Sequence, residues 1–150
     1  MRGRAGAALK ASDRWAAEAR LWLELAKDAQ AIGQGWGISY YCSGFAAELM
    51  LKAIDLRQQK LGAWPPEMRG SRWHEIERLA DACGLLQQAR NDAHRSKPFA
   101  RHWAMAKDWS SERRYPQASV DRDEASNILN AVSDPERGVL KWLASHYARL

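Results

Sequence analysis

The chain has 150 residues, enough for one domain with a proper core, and carries 23 Lys/Arg against 18 Asp/Glu for a net charge of +5. Eight Trp, abundant Ala and Leu, and the absence of Thr weigh against strands and point to an all-α fold. The mild basic excess favours polyanionic partners, and no apolar run approaches the roughly 18 residues that a membrane-spanning helix needs.

Residues 1–11 read as a flexible N-terminal arm, with a basic start whose apolar run is too short for a secretory signal. A single helical domain is expected over residues 12–150. Ser12 is placed to cap a helix running to about Ile32, with Trp15, Ala19, Trp22, Ala26 and Ala29 on its inner face. Gly33, Gly35 and Gly37 then break the chain; they lack the strand and the Lys-Ser/Thr ending of a phosphate loop, and a turn between helices suffices. The next helix, about Trp36 to Lys60 with a stop at Gly62, organises the rest. Ile38, Tyr41, Cys42, Phe45, Leu49, Ala53 and Leu56 make one apolar face, and Tyr40, Gly44, Ala47, Leu51 and Ile54 nearly the opposite one. A helix apolar on two sides belongs at the centre of a bundle, yet it carries Glu48 and Lys52, whose burial is costly unless they are paired.

Beyond a Gly/Pro/Arg-rich loop at 62–72, Ser71 is expected to cap a short helix over Trp73–Cys83, closed by Gly84. Another turn or two of helix is expected over Leu85–His94, whereas the stretch from about Asn91 to Gln117, interrupted by Pro98, fits no single helical wheel. Within it Phe99–Lys107 is helix-compatible and Trp109–Pro116 reads as ordered loop. Asp121 with Glu124 resembles a capping box, and Ser133-Asp134-Pro135-Glu136 reads as a second helix start before the stripe Val139, Leu143, Tyr147. These segments make a four- to five-helix up-and-down bundle. Cys42 and Cys83 form no CxxC or Cys/His cluster and read as buried free thiols of a reducing cytosol; no metal site and no cofactor is expected.

Three blocks in series carry a family resemblance. Tyr40-Tyr41-x-x-Gly44-Phe45-Ala46-x-Glu48-x-x-Leu51-Lys52-Ala53, then His74-x-Ile76-x-x-Leu79, then Trp109 followed by Arg114-Tyr115-Pro116, resemble the second helix, a helix start and a loop of HEPN domains. The resemblance implies a helical bundle, often dimeric, found in toxin–antitoxin and defence systems beside a nucleotidyltransferase-like partner. It also implies work on RNA or nucleotides, many members being metal-independent RNases. Their signature is an Arg, a polar residue, and a His after four to six intervening residues. Here Arg90 and His94 have three residues between them, Arg95 and His102 have six but with Pro98 among them, and Arg137 and His146 have eight.

Glu48 and Lys52, one turn apart, read either as a structural pair or as a lysine offered to phosphate and oriented by the carboxylate. His74 either orients the helix that it begins or serves acid–base chemistry. Arg113, Arg114 and Tyr115 give a fork of donors beside an aromatic hydroxyl, suited to phosphate and base stacking; alternatively Tyr115 plugs the bundle while Arg114 bridges to Glu48. Arg90, His94, Arg95 and His102 bring the groups an RNase needs, a histidine to move the 2′-OH proton and an arginine to stabilise phosphorane charge, or else a solvated basic loop. The expectation is a soluble, cytoplasmic protein that binds RNA or nucleotide as a homodimer or with a partner protein. An active endoribonuclease and a pure interaction module are the alternatives.

Overall fold

The computed structural model describes residues 2–115 and 119–150, and the side chains of these apart from 2–5, 7–9 and 114. Among the described residues there are seven α-helices and three short 3-10 turns, and no strand. The helices are α1 (Arg2–Ala31), α2 (Trp36–Gln59), α3 (Ile76–Ala82), α4 (Leu86–Arg95), α5 (Lys97–Lys107), α6 (Arg122–Ser133) and α7 (Val139–Ala148). No described helix is long and apolar enough to cross a membrane.

α2 is the centre. Every residue from Ala46 to Leu56 is buried, including Glu48, Lys52 and Asp55. Both apolar faces find partners: α2 packs against α1, α3, α6, α7 and the 3-10 turn Ser111–Arg114. α1 lies antiparallel to it, since Ser39 donates to the Ala26 carbonyl at 2.8 Å while Trp22 meets Phe45 edge-on at 4.8 Å further along. Small residues on α1 (Ala16, Ala19, Ala26 and Ala29) bring the two backbones together. At the far end the Tyr147 hydroxyl donates to Asp13 and lies 2.9 Å from Ser12 Oγ, tying α7 to α1.

Several boundaries differ from expectation. α1 begins at Arg2 rather than Ser12, so residues 2–11 are helix instead of an arm and Ser12 is a buried interior residue rather than a cap. The Ala-rich composition of 5–11 carries that extension without a capping residue. α2 spans Trp36–Gln59, close to the expected range, but the stop is made by Lys60 and not Gly62: Lys60 takes the left-handed conformation at φ 56°, and the Leu61 N–H returns to the Leu56 carbonyl at 2.9 Å. Ser71–His74 is a 3-10 turn, and α3 starts at Ile76 without a side-chain cap.

Pro98 does not interrupt a helix; it sits in the first turn of α5, where its missing N–H costs nothing, and Ser96 Oγ caps Phe99 N–H at 3.3 Å. The stretch that fits no single wheel is therefore two helices meeting at Ser96. Asp121 caps α6 through Glu124 N–H at 2.8 Å, but the Glu124 carboxylate turns to Arg113 instead of completing the box. Asp134 does not open α7. Its carboxylate accepts from the N–H groups of Glu136 and Arg137 in a turn, and α7 starts only at Val139. The four or five segments read from periodicity thus become seven because α4 and α5, and α6 and α7, are separated by tight turns.

Candidate functional site

Tyr40, Gly44, Glu48 and Lys52 follow one another at four-residue intervals and form one slowly turning stripe along α2. Both long loops dock on it. At Gly44, Trp109 lies flat against the helix: a Cβ on that glycine would stand 2.2 Å from three atoms of the indole. The ring's Nε1 donates to the Tyr40 carbonyl at 3.1 Å, and the Tyr40 hydroxyl accepts from Ser110 N–H at 3.3 Å. Trp109 is buried. Its loop also carries Arg113, whose guanidinium lies 5.1 Å from the Tyr40 ring centroid, pairs with Glu124 and donates to the Ser119 carbonyl. The bond and the charge of Glu124 hold Arg113 above the ordinary arginine value, against its partial desolvation.

One turn on, the Glu48 side chain is fully buried. Its Oε1 accepts from Lys52 Nζ at 3.1 Å and faces His74 Nδ1 at 2.5 Å. His74 reaches it from the 3-10 turn Ser71–His74, so the imidazole orients on α2 and not on the helix that follows it. With Nδ1–H directed at a carboxylate, Nε2 of the partly exposed ring carries the lone pair, the arrangement a general base uses, and only the protonated ring would donate from Nε2 to a phosphate. Lys52 sits 4.9 Å from the Trp64 ring centroid, and Trp64 is held by a 2.6 Å bond from its Nε1 to the Met68 carbonyl. Glu48 Oε2 has no hydrogen-bond partner among the described residues. The Arg114 side chain, expected as a third member beside Glu48 and Lys52, lies outside the described residues, as does Pro116. Tyr115 is exposed at the end of the same loop.

The four expected catalytic residues are not brought to one place. Arg90 and His94, both exposed and one turn apart on α4, flank a shallow groove against α5. Arg95 faces a different cavity, between α4 and α7. His102 Nε2 lies 2.9 Å from Asp134 Oδ2, joining α5 to the turn between α6 and α7. That contact, together with the N–H groups of Glu136 and Arg137, holds the Asp134 carboxyl below its ordinary value; the backbone bond from Glu136 is the largest contributor.

Sequence reasoning did not single out Trp64, His146 or Trp142 as site residues. The first contacts Lys52 from a loop with no periodicity, and the other two are visible only once α4 is placed beside α7. Among the described residues, no group of three or more His, Cys, Asp or Glu side chains is arranged to hold a metal ion. No family model matches this chain, and neither a curated protein nor a solved structure does.

Proposed function

We propose that this chain is a HEPN-type helical bundle that binds RNA or nucleotide, as a cytoplasmic component of a toxin–antitoxin or defence system. It works as a homodimer or beside a nucleotidyltransferase-like partner, without needing to be the catalyst. What supports this reading is a single observation: the three sequence blocks that carry the resemblance, far apart in the chain, converge on one stripe of α2. Gly44 receives Trp109, and Glu48 receives His74. In this reading Lys52, His74, Arg113, Arg114 and Tyr115 form the surface that meets phosphates and bases, while Glu48 fixes Lys52 and His74.

The alternative, an active metal-independent endoribonuclease, draws on Arg90 and His94, which share an exposed helical face open to a second subunit. The dispersal of Arg95 and His102 to other surroundings weighs against a nuclease centre built within one chain. Incubating the purified chain with tRNA and mRNA in EDTA separates the two. Binding that weakens steeply with salt, without cleavage, is the expected result. Cleavage abolished by His94→Ala would replace the proposal with the nuclease.

A further inference from the structure

A second feature stands apart from the α2 stripe and does not rest on the family reading. α4, α5, α7 and the turn before α7 border an open-sided cavity of about 580 Å³. We propose that this cavity binds a nucleoside phosphate, with the base against a floor formed by the partly exposed rings of Trp142 and His146 and the phosphate among Arg95, Lys141 and Arg149.

The floor is rigid before any ligand arrives. Trp142 Nε1 donates to Asp92 Oδ2 at 2.8 Å, which fixes the indole's orientation and occupies the nearest carboxylate. Behind it Phe99 and Trp103 pack at centroid distances of 5.2 and 5.7 Å, and His146 meets the indole edge-on at 4.5 Å. Burial, and then the charge of Arg149, hold His146 below the ordinary histidine value against the opposing pull of Asp92, so at neutral pH the imidazole is an uncharged ring. An uncharged aromatic surface suits stacking of any base.

The rim supplies the charge. Arg137 in the turn before α7, Lys141 on its first turn and Arg149 just past its end line the cavity together with Arg95. Four cations against Asp92 and Glu136 leave the lining two charges positive, counting His146 as neutral. No ion pair within 4.0 Å among the described residues involves any of the four, so their donors are available to an anion. The volume lies within the roughly 300–1,000 Å³ of small-molecule sites, which suits one nucleotide better than an extended acidic peptide.

The test is calorimetric titration of the full chain with ADP, set beside inorganic phosphate, and with an oligonucleotide carrying either a 5′-phosphate or a 5′-hydroxyl. The expected result is saturable ADP binding, much weaker phosphate binding, and a loss of roughly tenfold or more on Lys141→Ala combined with Arg149→Ala. Both positions are exposed, and an unchanged melting temperature of the paired variant guards against a folding effect. Binding of the 5′-phosphorylated oligonucleotide in place of ADP, abolished by the same pair, would support the site and identify its source as a strand end. Equal affinity for ADP and inorganic phosphate would overturn the stacking floor and with it the proposal. So would no saturable binding of either nucleotide probe, or binding indifferent to the paired substitution. ADP binding lost on Arg113→Ala combined with Arg114→Ala but kept on the Lys141→Ala/Arg149→Ala pair would place the nucleotide on the α2 stripe and overturn this site alone, so failure here and failure of the RNA-binding reading are distinguishable.

Discussion

Gly44→Ala is the sharpest probe of the α2 stripe, because an ordinary helix rule and the observed packing predict opposite signs. In an open helix the substitution stabilises by about 1 kcal/mol. Here the new methyl would stand 2.2 Å from the Trp109 indole, where ordinary contact begins at 3.4 Å, so the ring must retreat by at least the difference, 1.2 Å. Trp109 is only 4% exposed. Its full burial, roughly 150–250 Å² at about 25 cal/mol per Å², is worth about 4–6 kcal/mol. Losing around half of that, together with a net hydrogen bond to the Tyr40 carbonyl worth about 1 kcal/mol, outweighs the helix gain. The net expectation is a destabilisation of about 2–3 kcal/mol, in the range of overpacked cores. Urea unfolding followed by far-UV circular dichroism measures it. A double-mutant cycle supplies the control: with Trp109→Ala already in place, Gly44→Ala should turn neutral or stabilising. A stabilised Gly44→Ala variant of the natural chain, or the same loss in both backgrounds, would refute the packing argument.

Three other substitutions or reagents test the buried polar groups. Lys52→Met leaves the buried Glu48 carboxylate with His74 as its remaining partner, so it should destabilise in urea unfolding by less than the roughly 3–5 kcal/mol of a fully unpaired buried charge; adding Glu48→Gln should recover most of the loss, and no recovery would count against the uncompensated charge as its cause. Burial raises the Asp55 carboxyl, against a smaller lowering by Gln59, so Asp55 favours the fold below its unfolded value of about 4 and loses that contribution as pH rises through the higher native value. Asp55→Asn should therefore stabilise the protein at neutral pH by an amount that shrinks on acidification; a difference independent of pH would contradict this. Burial, with the nearby Asp55 charge, pushes the Cys83 thiol up to about 12, and burial raises Cys42 as well. Neither should react with Ellman's reagent until the chain unfolds, and stoichiometric labelling of the folded protein within minutes would contradict that burial.

The all-α fold and the central helix were legible because α2 combines two apolar stripes with a Gly/Pro-rich loop just beyond its end, signals that survive any tertiary context. The start of α1 was not, since Ala-rich helix needs no capping residue and the sequence placed its first capping signal at Ser12. Pro98 misled for a related reason: a proline marks a break or a first turn, and only the Ser96 cap distinguishes them. In the site, the Glu48–Lys52 pair was legible from its four-residue spacing, a local rule. His74 was noticed, but not its partner, because the contact to Glu48 spans 26 residues and depends on how the loop folds back. The cavity beside Trp142 escaped for the same reason, its lining being gathered from three helices and two turns.

The claim on which the functional account depends is that the loop docked on α2 presents a polyanion-binding surface. Fluorescence anisotropy of a labelled single-stranded RNA, titrated with the purified chain across a salt series, tests it most directly. The account predicts saturable binding whose logarithmic affinity falls linearly with logarithmic salt concentration, and whose slope becomes shallower when Arg113 and Arg114 are both changed to Ala. An RNA affinity that is absent at low salt, or that is the same for the natural chain and the Arg113→Ala/Arg114→Ala variant, would contradict it.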